Sequence, residues 1–268
     1  MNNRHALVYF CSACLLLLSG ASALAQPEML LIPGGSYQPL FKSSDSKTRA
    51  DVDAFEIDRY LVSNEQFKRF TLRQSRWHPD HIKTVFADAN YLGQFRSAES
   101  FASIAQQPVT NVSWFAARAY CKAEGKRLPG LDEWEYVAAA SATSADGGDD
   151  VEYRRLILDW YARPARAELP DVRNTPANYW QVQGLHGVVW ELVDDFNSAL
   201  VSGESRGDTA LEKQLFCGAG AASSADPGDY AAFMRYAMRS SYEASYTLES
   251  MGFRCARDIE QSEETVIE

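Results

Sequence analysis

Apolar residues fall into short groups along this chain rather than into long periodic runs. Met29-Leu-Leu-Ile-Pro-Gly-Gly-Ser-Tyr37 predicts a strand, a Pro-Gly-Gly turn and a second strand, because Pro lacks the N–H a ladder needs and Gly admits the turn. Val52 to Tyr60 alternates apolar with polar residues, the period of a half-buried strand. Ser63-Asn-Glu-Gln66 has the spacing of a capping box and predicts a helix whose apolar face carries Phe67, Phe70 and Leu72. Arg73 to Gln106 is less periodic and predicts a loop-rich stretch. Ser113 precedes a helix from Trp114 to Glu124, with Gly125 as its C-terminal stop. Asp132 opens a second helix through Trp134, Tyr136 and Val137, and Ala138 to Asp150, small and polar, predicts a surface loop.

The N-terminus follows a different logic. Arg4 precedes an almost wholly apolar run from Leu7 to Leu18, and Ala23-Leu-Ala25 is a small-x-small site before Gln26. This is the pattern of a secretory signal peptide over residues 1–25, too short in its apolar part to span a bilayer. Cys11 and Cys14 lie inside the apolar run rather than at a lipobox. The mature chain, residues 26–268, shows no repeat and no linker, so it is expected to be a single domain with an acidic tail from about Glu260, periplasmic or secreted, with no membrane association after cleavage. The formal charge of −10 disfavours nucleic acid and anionic membrane surfaces as partners.

Several short motifs occur in a fixed order: Pro33-Gly-Gly-Ser36, Phe55-Glu-Ile-Asp58, Val62-Ser-Asn-Glu-Gln-Phe67, Pro108-Val-Thr-Asn-Val-Ser-Trp114, Ala119-Tyr-Cys121, Gly125-Lys-Arg-Leu-Pro129, Glu133-Trp-Glu-Tyr136, His186-Gly-Val-Val-Trp-Glu191 and Gly252-Phe-Arg-Cys-Ala256. In this order they resemble the formylglycine-generating enzyme (sulfatase-modifying factor) family, and they extend from about Met29 to Asp258. The resemblance implies an α+β fold, irregular, loop-rich and related to C-type lectins, with little regular secondary structure. It also implies a disulfide between Cys121 and Cys255, while the family's second bridge is lost at Ala138 and Tyr236.

Copper-dependent oxidases of this family use two cysteines five residues apart, soft ligands suited to Cu(I). Counting back from Arg239, those positions fall here on Ala231 and on Ser223 or Asp226, so copper is not expected. Cys217 stands where the family has the arginine of Arg-Gly-Gly-Ser, and it reads as a free thiol buried as a small hydrophobe. The resemblance places Ser223, Asp226, Tyr230, Arg235, Tyr236, Arg239, Thr247 and Ser250 around the family's cleft. Two readings of the arginines stay open: they hold a peptide or carboxylate ligand, or they pair with acids such as Asp226 and Asp229. Gly184, Gly187, Val189 and Glu191 resemble a calcium loop, although Gly184 and Val188 replace the family's asparagines. Structural calcium is therefore left open. His78 and His81, with Asp80, bring ligand types together, but Pro79 argues for an exposed loop.

Family membership does not settle function. Without catalytic thiols, the chain is expected to be an exported accessory or maturation factor for a periplasmic (metallo)enzyme, with a protein or peptide partner in the periplasm. Cys217-Gly-Ala-Gly220 and Phe233-Met-Arg-Tyr-Ala-Met-Arg239 are similar to the members found beside nitrite reductase. The alternative is an oxygen-dependent oxidoreductase acting on a peptide or small molecule without the cysteine pair.

Overall fold

The computed structural model describes residues 28–38, 49–162, 168–195, 234–235, 237–239 and 241–259. The signal peptide, the acidic tail and Cys217 lie outside the described residues.

The first strands form a two-part ribbon. β1 (Met29–Ile32) pairs antiparallel with β4 (Phe55–Asp58), and β2 (Gly35–Tyr37) pairs antiparallel with β3 (Ala50–Val52). Ile32 lies opposite Phe55 and Gly35 opposite Val52, so Pro33-Gly34 and Asp53-Ala54 face each other at a break. A Cβ on Gly34 would sit 3.0 Å from the Val52 carbonyl oxygen, so the two backbones approach closely there. The single strand expected from Val52 to Tyr60 is therefore two strands, in two sheets. β4 also pairs with β7 (Ala256–Asp258), making the sheet order β1-β4-β7, while β5 (Trp190–Glu191) pairs parallel with β6 (Met251–Gly252).

α1 (Asn64–Arg73) begins as expected: the Gln66 N–H donates to Ser63 Oγ, and the Ser63 N–H donates to Gln66 Oε1 at 2.9 Å. Phe67 and Phe70 are fully buried, but Leu72 is 67% exposed. At five residues from Phe67 and two from Phe70, Leu72 falls off the i, i+3, i+4 stripe. A 3₁₀ turn (Ser75–Trp77) and two single-turn helices, α2 (Gln94–Ser97) and α3 (Phe101–Ile104), interrupt the irregular stretch. α4 (Trp114–Ala123) is capped by Ser113, and Gly125 follows it with φ +68°, the left-handed conformation that glycine adopts without strain. α5 spans Leu131–Ala138. α6 (Val151–Tyr161), capped by Asp150, was not anticipated from the sequence.

The core lies between these elements. Phe67, Phe70, Tyr120 and Phe253 pack with ring centroids 5.4–6.0 Å apart, joining α1 and α4 to the segment after β6. The Cys121–Cys255 disulfide closes the same junction across a sequence separation of 134 residues. Among the described residues no helix is long and apolar enough to cross a membrane.

Chain-entropy reasoning assigns such a long closed loop roughly 4–5 kcal/mol. Replacing both cysteines by alanine is expected to lower the urea midpoint and to steepen the denaturant slope as the unfolded chain expands, at a cost of about 2–5 kcal/mol. Equilibrium unfolding followed by circular dichroism checks this.

Candidate functional site

An open cleft of about 1050 Å³ runs between the start of α1, α2, the turn before α4, α6 and the β5–β6 pair. Its floor is a chain of side-chain amides. Asn64 Nδ2 donates to the Ile104 carbonyl at 2.9 Å, and Gln94 Nε2 donates to Asn64 Oδ1 at 3.2 Å and to the Thr110 carbonyl at 2.8 Å. Asn111 Nδ2 donates to Gln94 Oε1 at 3.3 Å. Asn111 has φ +47°, and its backbone joins the two walls: its N–H donates to the Leu248 carbonyl, and its own carbonyl accepts from the Leu92 N–H. Trp160 and Trp190, with ring centroids 5.5 Å apart, form the aromatic end of the cleft.

Two of the expected cleft residues, Thr247 and Ser250, line this space. Thr247 is not a free hydroxyl, because Oγ1 donates to Asp88 Oδ1 at 2.5 Å and its N–H to Asp88 Oδ2 at 2.9 Å. The Ser250 carbonyl accepts the Trp190 N–H at 2.7 Å, which leaves its half-buried side chain at the cleft surface. Ser223, Asp226, Tyr230 and Tyr236 lie outside the described residues, as do Asp229 and Ala231.

Arg235 and Arg239 are not among the described residues that line this space. Both converge on Glu135 of α5: Arg235 Nη2 lies 2.6 Å from Oε2, Arg235 Nε 2.9 Å from Oε1, and Arg239 Nη1 2.7 Å from Oε1. The two guanidinium carbons lie 5.6 and 4.6 Å from the Trp134 ring centroid. The described partner of these arginines is thus Glu135, a residue inside the Glu133-Trp-Glu-Tyr136 motif that had not been singled out. Its carboxylate, inside a quoted motif, is the signal that could have found it. Burial pushes the Glu135 carboxyl up, but the two guanidiniums outweigh it and hold the group down at about 2.

His186 lies beside this cluster, with ring centroids of Trp134, Tyr153 and Trp160 at 5.8–6.3 Å. Its Nε2 donates to the Ala138 carbonyl at 3.1 Å. Burial first, and the nearby Arg235 charge second, lower its pKa from 6.5 to about 4.

The loop resembling a calcium site has a different commitment. Glu191 Oε2 accepts from Arg254 Nε at 2.7 Å and Oε1 from Arg254 Nη2 at 2.8 Å, both side chains being fully buried. A dication would have to share those oxygens with a guanidinium, so the Glu191 side chain does not fit calcium. Gly184 and Gly187, at φ +71° and +90°, shape the loop as turn residues. His78 Nδ1 lies 3.4 Å from Asp80 Oδ2, while His81 Nδ1 lies 3.2 Å from the Ser75 carbonyl. Among the described residues no group of three or more His, Cys, Asp and Glu is placed to hold a metal ion.

Both titrating groups set the acid behaviour. The folded Glu135 carboxyl lies below its ordinary 4.5, so its contribution is complete above that value and is lost as pH falls toward 2. The folded His186 imidazole lies below 6.5, so the unfolded chain takes up the proton first and stability declines as pH falls from 6.5 to 4. Thermal melts between pH 7 and 3 are expected to show a falling midpoint throughout. Glu135→Gln, which leaves two buried guanidiniums without a counter-charge, is expected to cost about 3–5 kcal/mol at pH 7 and to make the slope below pH 4.5 shallower, the Asp258 carboxyl held low by Arg127 keeping part of it.

The family described as Sulfatase-modifying factor enzyme 1-like domain matches residues 17–259. The chain is 27% identical to mouse formylglycine-generating enzyme over 90% of its length and 78% of that relative. It is 30% identical to the Streptomyces coelicolor formylglycine-generating enzyme over 77% of its length and 79% of that relative. A bovine relative named inactive C-alpha-formylglycine-generating enzyme 2 is 27% identical over 41% of this chain and 48% of its own length. The ordered motifs, the disulfide they implied and a family match over nearly the whole chain agree: this protein belongs to the sulfatase-modifying factor (formylglycine-generating enzyme) family.

Proposed function

We propose that this chain is an exported, non-oxidising member of its family that binds an extended polypeptide in the open cleft, as an accessory or maturation factor for a periplasmic enzyme. The observation that carries this reading is the placement of the cysteines. Of the five in the sequence, Cys11 and Cys14 fall in the signal-like leader, and Cys121 and Cys255 are bridged. Cys217 alone remains, so no pair of thiols five residues apart exists to hold Cu(I). A relative whose name declares it inactive supports the idea that this scaffold persists without the oxidase reaction.

The cleft chemistry suits a polypeptide. Beyond the internally bonded floor, the lining amides Asn90 and Gln107 bring donors and acceptors of the kind peptide groups pair with, and Trp160 and Trp190 offer apolar surface for a side chain. The leader-like residues 1–25 support export, which would deliver the protein to an oxidising compartment where the disulfide persists.

Oxygen uptake and Cu(I) titration with a cysteine-containing peptide test the reading. Neither copper binding nor oxygen consumption is expected, and Cys217→Ser is expected to behave as the parent. Peptide-dependent oxygen uptake that disappears in Cys217→Ser would sink it in favour of a single-thiol oxidoreductase.

A further inference from the structure

The amide floor of the cleft has a direction. Asn64 is buried at 2% exposure, and its Nδ2 donates to the carbonyls of Ile104 at 2.9 Å and Pro108 at 3.4 Å. Carbonyls only accept, so the nitrogen must face them and Asn64 Oδ1 must face Gln94. Gln94 Nε2 donates to that oxygen at 3.2 Å and to the Thr110 carbonyl at 2.8 Å, which turns Gln94 Oε1 toward Asn111. Asn111 Nδ2 then donates to Gln94 Oε1 at 3.3 Å. The backbone carbonyls of Ile104, Pro108 and Thr110 thus orient all three amides, and the chain ends on Asn111 Oδ1.

Asn111 is 6% exposed and lines the cleft. Its N–H donates to the Leu248 carbonyl at 3.0 Å, and its carbonyl accepts from the Leu92 N–H at 2.8 Å. Its Oδ1, by contrast, has no hydrogen bond among the described residues, and it is not one of the side-chain atoms sealed from solvent. An acceptor on a side chain more than nine-tenths buried, held in one orientation and left unpaired, calls for a donor from a ligand. The φ of +47° would suit glycine, so the backbone conformation alone does not call for this side chain.

We propose that Asn111 Oδ1 accepts a main-chain N–H of the bound polypeptide, so that the cleft selects an unsubstituted amide nitrogen at that one position and rejects proline there. This rests on the polypeptide reading of the cleft. An ordinary residue brings the N–H that the oxygen lacks. Proline or an N-methylated residue brings none, and on binding it leaves the acceptor desolvated and unpaired. Because the amide is oriented in advance, no side chain has to be ordered to receive the ligand.

The test titrates the full chain with acetyl-Ala-Ala-Phe-Ala-Ala-amide, and with the versions of it that carry a single N-methyl group on each residue in turn, by calorimetry. One N-methylated version is expected to bind at least about tenfold more weakly than the unmodified peptide, with the others less affected. Asn111→Gly deletes the amide in a backbone conformation that glycine adopts freely, and its circular dichroism spectrum is expected to be unchanged. It should bind the unmodified peptide at least about tenfold more weakly and lose the discrimination against the weak N-methylated version. If Asn111→Gly binds the unmodified peptide as tightly as the unsubstituted protein, or keeps the full N-methyl penalty, the inference fails while the polypeptide reading stands. If the unsubstituted protein binds none of these peptides, both fail. Binding of maltohexaose instead, lost in Asn111→Gly, would give the acceptor to a carbohydrate hydroxyl and overturn the proposal.

Discussion

A guanidinium carries five N–H donors, and Arg254 uses all five where no water reaches it. Two go to the carboxylate of Glu191, two to the carbonyls of Asp58 and Arg59, and one to the carbonyl of Gln183. Two regions far apart in sequence, Asp58-Arg59 and the stretch from Gln183 to Glu191, are thereby fixed to the residue that precedes Cys255. Burying a charge pair costs more in lost hydration than it returns unless every donor and acceptor is met. Here every donor is met, and the result is a geometry that admits few alternatives. The end of β4, the β5–β6 pair and the loop before His186 all take their positions from it.

A second buried ion cluster repeats the principle on α5. Glu135 draws in Arg235 and Arg239, and Trp134 lies beneath both guanidiniums. The disulfide is one residue from Arg254, and the Cys255 N–H donates to the Asp58 carboxylate at 3.0 Å. A fold with so little regular secondary structure has few backbone ladders to define it. Side-chain ion pairs, caps and one covalent bridge take over that task, and the open cleft is formed by loops that they hold still.

What could be read from the sequence follows from this division. Local signals were legible: the Ser63 capping box, the Ser113 cap and the Gly125 stop all depend on neighbours within a few residues. The order of short motifs carried the family and the disulfide. Leu72 and the break between β3 and β4 were misread because alternation and apolarity do not reveal which backbone will approach at Gly34. α6 escaped notice although Asp150 caps it, because it follows a polar Gly-Gly-Asp-Asp run and its exposed Val151 and Leu156 blur the apolar stripe. The partners of Arg235, Arg239 and Glu191 were not legible, since each lies 63–104 residues from the group it binds. Without those partners, the sequence leaves the arginines open between ligand clamps and acid pairs, and leaves a glutamate open as a calcium ligand.

If the frame depends on the Arg254 hub rather than on a bound ion, its coupling must appear in the protein alone. A double-mutant cycle with Arg254→Met and Glu191→Leu, measured by urea unfolding in the presence of EDTA, tests this most directly. The account predicts that each single substitution costs about 3–5 kcal/mol and that the double substitution costs clearly less than their sum. Additive costs, or a parent protein that already loses its fold in EDTA, would contradict it.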